Sequence, residues 1–199
     1  MASSGYASYG DDEFTNPFYN VHTIPIQTEE QLPAEWGSLV DHFDSTDVKV
    51  QDLDAHLDGK HVKIWVPKDV VHGTFTVWRE GDLIRGRNEA VGSGVYVTAR
   101  YKGPNQLYVR EYNYHPESDQ IIYPWAREPF ISVMGRGDDI RAFKFSGEQG
   151  LCINAGTWHQ PPIPLTPKQV FNNAQSKAHL CVCYDTLVKD QRWLKFDLE

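Results

Sequence analysis

The sequence holds no uninterrupted apolar stretch of the ~18 residues that a membrane-spanning helix needs, and its opening residues, MASSGYASYGDDEF, lack the basic start and apolar middle of a secretion signal. A soluble, cytoplasmic protein is the expectation. Basic residues are outnumbered, 19 Lys and Arg against 27 Asp and Glu for a net charge of -8, and no run of them forms a stripe that would neutralise phosphates. Nucleic acid and anionic membranes are therefore excluded as expected partners. Cysteine is scarce too: Cys152, Cys181 and Cys183 are odd in number and lack C-x-x-C spacing. A disulfide framework and a zinc knuckle are both excluded, and the cysteines read as reduced packing residues in a reducing compartment.

What is present is length enough, at 199 residues, for one well-cored domain. Residues 1–14 have no hydrophobic periodicity and read as a mobile tail, which leaves 15–199 as a single domain. Residues 28–46, TEEQLPAEWGSLVDHFDST, space Leu32, Trp36, Leu39, Val40 and Phe43 three and four apart, which predicts one or two short amphipathic helices in an N-terminal α/β segment. From residue 60 the pattern changes. KHVKIWVP, GTFTVWREG, GVYVTARYKG, NQLYVREYNYHP, QIIYPW, PFISVMGRG, RAFKFSG, QGLCINAG and HLCVCYD are runs of β-branched and aromatic residues separated by glycine and proline. Without helical patterns between them, these runs predict an all-β-dominated sandwich or barrel.

Two stretches carry polar residues into that framework. In NQLYVREYNYHPESDQ, residues 105–120, strand alternation puts Leu107, Val109, Glu111, Asn113 and His115 on one face and Tyr108, Arg110, Tyr112 and Tyr114 on the other. One face starts apolar and ends in Glu, Asn and His, the pattern of a strand whose end lines a polar pocket over a packed floor. In NAGTWHQPP, residues 154–162, Gly156 supplies a turn and Pro161 and Pro162 fix the exit, so that His159 is aimed from a rigid turn.

These residues resemble the cupins, whose small jelly-roll barrel (a double-stranded β-helix) carries H-x-H-x3-4-E and then P-x-G-x-x-H. Asn113, His115 and Gln120 stand at the first motif, and Asn154, Gly156 and His159 at the second. More narrowly, the chain resembles the ureidoglycolate lyase family. His115, Pro116 and Gln120, then Pro129 and Phe130, Arg141, Ala142 and Phe143, Gln149 and Gly150, Gly156, Trp158, His159 and Pro161, and finally Asp185 follow that family's motifs in order. Gln160 replaces a second histidine, Thr186 follows Asp185 where a basic residue is usual, and Asn113 stands where a glutamate is expected.

The resemblance implies a carbon-nitrogen lyase that splits ureidoglycolate to glyoxylate and urea, in the allantoin-degrading branch of purine catabolism, and implies a homodimer. Such cleavage needs a base for the hydroxyl proton, an acid for the departing nitrogen and a cation or N–H groups for the carboxylate. His115, His159, Gln120 and Glu111 are the candidate catalytic residues. Asn113, Tyr114, Trp158, Arg100 and Arg141 are the candidate substrate-binding residues, with Lys102 and Arg127 as further cations for the carboxylate. GVYVTARYKG groups Val95, Val97, Ala99 and Tyr101 on one face and Tyr96, Thr98 and Arg100 on the other. His115, Gln120 and His159 would be the metal set, two good ligands and one poor one, admitting nickel, manganese or zinc without requiring it. The remaining histidines, His22, His42, His56, His61, His72 and His179, read as structural or exposed. Two other functions fit the same pocket: isomerisation or cyclisation of a small polar metabolite, and non-catalytic binding of a small carboxylate.

Overall fold

The computed structural model describes residue 16 and residues 19–92 and 94–198, so the expected tail lies outside the described residues. Two sheets face each other. The larger runs, edge to edge, Asn20–Thr23, Arg192–Asp197, Gln106–Val109, Tyr96–Lys102, Leu83–Asn88, Val70–Glu80, Lys168–Ser176, Gln120–Pro124, Gly150–Ile153 and Gly37–Val40. The smaller runs Val182–Asp185, Glu111–Tyr114, Trp158–His159, Phe130–Arg136, Asp139–Phe145 and Ile26–Thr28. A separate hairpin pairs Leu53–Leu57 with Lys60–Ile64. The arrangement is a cupin-like β-sandwich, and each of the nine expected runs contains a strand. No helix among the described residues is long and apolar enough to cross a membrane.

Alternation explains the packing. In Val70–Glu80, Phe75 and Val77 point inward and are buried while Thr74 and Thr76 are half-covered. Around them, Ile122, Leu151 and Phe171 from the larger sheet meet Phe130, Met134, Phe143 and Phe145 from the smaller. A second core joins Ile84, Ala99, Leu107 and Val109 to Ile131, Val133 and Ala142. Facing apolar surfaces of this kind are the main favourable term in holding two sheets together.

Two expectations need correction, and one strand was not anticipated. Residues 28–46 form no α-helix: Glu29–Gln31 and Phe43–Ser45 are single 3-10 turns, and Gly37–Val40 is an edge strand. Pro33 offers no N–H to a helix. Gly37 approaches its neighbour so closely that a Cβ there would meet the Cys152 carbonyl oxygen at 2.4 Å. The three-and-four spacing therefore arises from a strand and its flanking turns. Tyr96–Lys102 carries a bulge opposite Ile84 and Arg85, which reverses its alternation. Tyr96 consequently packs inside, as do Ala99 and Tyr101, while Val97 packs outside beside Tyr108 and Trp193. Finally, Lys168–Ser176 pairs along its whole length with residues 70–78 of the Val70–Glu80 strand, from Lys168 opposite Trp78 to Ser176 opposite Val70, although its polar sequence did not mark it as a strand.

Candidate active site

After Val109 the chain leaves the larger sheet: Arg110 falls between strands, and Glu111–Tyr114 joins the smaller one. The alternation carries through the crossing. Leu107 and Val109 pack in the core, while Glu111, Asn113 and His115 line a cavity of about 390 Å³. The Arg110 guanidinium secures the corner, donating to the Asp185 carboxylate at 3.2 and 2.5 Å and lying over Trp193.

NAGTWHQPP approaches from the other side. Gly156 adopts φ 76°, and its N–H donates to the His115 carbonyl at 2.9 Å, which ties the two histidine segments together. Asp119 accepts from the Ala155 N–H at 2.9 Å and holds the same turn. Trp158–His159 then bridges Glu111–Tyr114 and Phe130–Arg136, with His159 in register between Asn113 and Met134. The His115 and His159 rings come to 5.2 Å, centroid to centroid, and both are buried.

Their proton positions follow from their partners. His115 Nδ1–H donates to the Leu180 carbonyl at 2.7 Å and His159 Nδ1–H to the Thr157 carbonyl at 2.9 Å. A carbonyl only accepts, so each neutral ring leaves its Nε2 as a lone pair. Burial pushes both imidazoles below their ordinary value, His159 to about 3, with the neighbouring His115 adding to the shift. Against burial, the Leu180 carbonyl, the Glu117 carboxylate and Gln120 all favour the charged form of His115, whereas His159 has only the Thr157 carbonyl. Glu117 is fully buried and also accepts from the Leu180 N–H at 3.0 Å.

Of the sequence-derived residues, His115, His159, Gln120, Glu111 and Asn113 all line the cavity. Tyr114 and Trp158 lie outside its lining and pack edge to face at 4.5 Å, beside Tyr112 and Tyr184. The four expected cations are elsewhere. Arg100 pairs with Asp82 at 2.5 Å, Arg141 with Asp139 while lying over Trp36, Arg127 with Glu148, and Lys102 lies over Tyr108. Arg100 faces outward because the bulge leaves Ala99 and Tyr101 as the inward residues.

Several lining residues were not anticipated. His179 reaches the cavity, its ring 4.8 Å from that of His115. Behind it lies a buried set of four carboxamides, Asn88, Gln120, Asn173 and Gln175. The signal for this set was the single face of Lys168–Ser176 on which Gln169, Phe171, Asn173 and Gln175 are all buried. Cys181 and Cys183 are exposed at the cavity wall, with Sγ atoms 3.5 Å apart, so of the three cysteines only Cys152 is a packing residue.

A divalent metal does not fit the anticipated set. Gln120 Nε2 is committed to Asn173 and Gln175 at 2.9 and 3.1 Å, which leaves two imidazole nitrogens and a weak carboxamide oxygen where such ions take three strong donors. Among the described residues no group of three His, Cys, Asp or Glu side chains stands in metal-holding geometry.

Comparison with known proteins points the same way as the geometry. Ureidoglycolate lyases from Escherichia coli O1:K1, Escherichia coli strain K12 and Shigella boydii serotype 18 are each 36% identical to this chain over 61 residues, 28% of this chain. The matched part spans 38% of the length of those relatives. The family described as ureidoglycolate lyase matches residues 73–193, a span that takes in both histidine segments, the carboxamide set and Asp185. The chain belongs to the ureidoglycolate lyase family.

Proposed function

We propose that the cavity splits ureidoglycolate into glyoxylate and urea. The observation that carries this reading is the convergence of two buried imidazoles, each with a bare Nε2, on one cavity of about 390 Å³. His159 Nε2, the lone pair left when Nδ1–H donates to the Thr157 carbonyl, takes the carbinol hydroxyl proton. The C–O bond becomes the aldehyde carbonyl as the C–N bond breaks, and its electron pair moves onto the ureido nitrogen. The His159 imidazolium returns that proton to the nitrogen as it leaves as urea, and neutral His115 accepts from the ureido N–H at its Nε2. Glu111 accepts from the ureido N–H groups at the wall. No step draws on a redox cofactor, because a C–N bond is broken with no change of oxidation level at carbon.

The setting this reading implies is allantoin degradation in the cytoplasm. A homodimer fits the exposed apolar side chains of Leu57, Ile64 and Trp65 around the separate hairpin, and light scattering at micromolar concentration checks it. The test of the activity is release of urea and glyoxylate from racemic ureidoglycolate by the purified protein. Formation of both products at equal rates is expected. Binding of glyoxylate without any urea release would reject catalysis in favour of a carboxylate-binding module.

A further inference from the structure

No Lys or Arg side chain is among the described residues that line the cavity, so a substrate carboxylate there has to be met by other N–H donors. The buried carboxamides identify one. The Ala90 backbone N–H donates to Asn88 Oδ1 at 3.1 Å. A backbone amide cannot reverse its role, so the Asn88 carboxamide is fixed, with Nδ2 turned to Gln175 Oε1 at 3.0 Å. Asn173 Nδ2 donates to the same Asn88 oxygen at 3.2 Å and to Gln175 Oε1 at 2.9 Å. Asn173 Oδ1 is thereby left to accept from Gln120 Nε2. Every donor that reaches Gln175 points at its oxygen, and its Nε2 is therefore the atom that faces His179 Nδ1.

An N–H that faces a ring nitrogen requires a lone pair on that nitrogen. His179 therefore carries its proton on Nε2, the reverse of His115 and His159, whose Nδ1 protons are taken by carbonyls. A neutral His115 or His159 presents a lone pair to an incoming carboxylate, which repels it. Neutral His179 presents N–H. The residue is also held at φ 42°, in the left-handed region that a side-chain-bearing residue occupies only when its surroundings enforce it.

We infer that His179 is a substrate-binding residue whose Nε2–H, oriented by the Asn88–Asn173–Gln120–Gln175 carboxamide set, receives the carboxylate of a small α-hydroxy or α-keto acid. The inference rests on the proposed function only in taking the ligand to be such an acid. Gln175 is the positioning residue, because it fixes which ring nitrogen bears the proton.

The experiment combines nitrogen-15 spectra of the histidine rings with calorimetric binding of glyoxylate. In the wild-type protein His179 should show a protonated Nε2 and a bare Nδ1, while His115 and His159 show the opposite; an Nδ1–H tautomer at His179 overturns the inference. His179→Phe should weaken glyoxylate binding by about 10- to 150-fold, the range for a hydrogen bond to a charged group. His179→Gln, which can present an N–H at similar reach, should recover most of that loss. Unchanged binding in His179→Phe overturns the inference. If that variant fails to fold, the wild-type spectra decide: glyoxylate must shift the His179 Nε2–H resonance, and an unmoved resonance rejects the contact. Loss of binding in the variant, alongside a wild type that releases no urea, would reject the lyase reading and leave the donor in place. An active wild type whose His179→Phe variant binds normally would do the reverse.

Discussion

Replacing His159 separates chemistry from structure if the substitute is chosen from the geometry. The ring is 4% exposed, and its Nδ1–H fills the Thr157 carbonyl. His159→Ala would remove that donor and empty the ring volume together, a loss of about 2–5 kcal/mol by analogy with other buried large-to-small changes that orphan a polar group. Low activity in that variant would then be ambiguous. His159→Asn keeps an N–H near the position of Nδ1 and deletes only the far side of the ring, so its destabilisation should stay within about 1.5 kcal/mol. If Nε2 is the base, kcat for ureidoglycolate should nevertheless fall by about 10²–10⁴-fold. Urea denaturation supplies the stability and a coupled urea assay the rate. A folded His159→Asn variant that keeps more than roughly a tenth of wild-type kcat would refute the assignment.

Three further outcomes follow from the same structure. Burial lowers the imidazoles of His115, His159 and His179, the last two to about 3 and about 4. Their folded values thus lie below the ordinary 6.5, so they stabilise the fold above that pH, and the contribution is lost as pH falls from 6.5 toward the folded values. Urea midpoints at several pH values should therefore fall on acidification, at up to about 1.4 kcal/mol per pH unit for each group, and His159→Asn should show a shallower slope. The Cys181 hydrogen bond holds the Cys183 thiol below its ordinary value, whereas burial raises Cys152 to about 11. Iodoacetamide should therefore label Cys183 before Cys152 by mass spectrometry and block glyoxylate binding. Gly37→Ala should cost about 1–3 kcal/mol in urea denaturation, because the new methyl meets the Cys152 carbonyl.

Legibility varied with how local each determinant was. The strand containing Leu107 and Val109 and the one containing Glu111 and Asn113 were readable as one alternating face, because alternation is a property of successive residues and survives a change of sheet. The turn at Gly156 was readable for the same reason. Tyr96–Lys102 was misread, since a single bulge is set by the partner strand and leaves no mark in its own sequence. Residues 28–46 were misread because strand and turn residues happened to repeat at helical spacing. His179 was passed over because its importance depends on Gln175, Asn173 and Asn88, and the last of these lies 87 residues from Gln175 in the chain. The expected cations failed on a different ground: sequence counts charges, but Asp82 and Asp139 decide where Arg100 and Arg141 point.

The corner at Arg110 gives the protein an unusual mechanical constraint. Leu107 and Val109 are bolted into the core, Glu111 and Asn113 form a wall of the cavity, and one continuous backbone joins them across the gap between sheets. The Arg110 carbonyl accepts from both the N–H and the hydroxyl of Thr186, so the corner is braced through its backbone as well as through Asp185. Sliding of one layer over the other would have to bend this strut, and the wall would travel with it. A change of substrate in this scaffold therefore has to come by exchanging side chains on a fixed frame, one wall position at a time, while the spacing of the frame itself is inherited from the core.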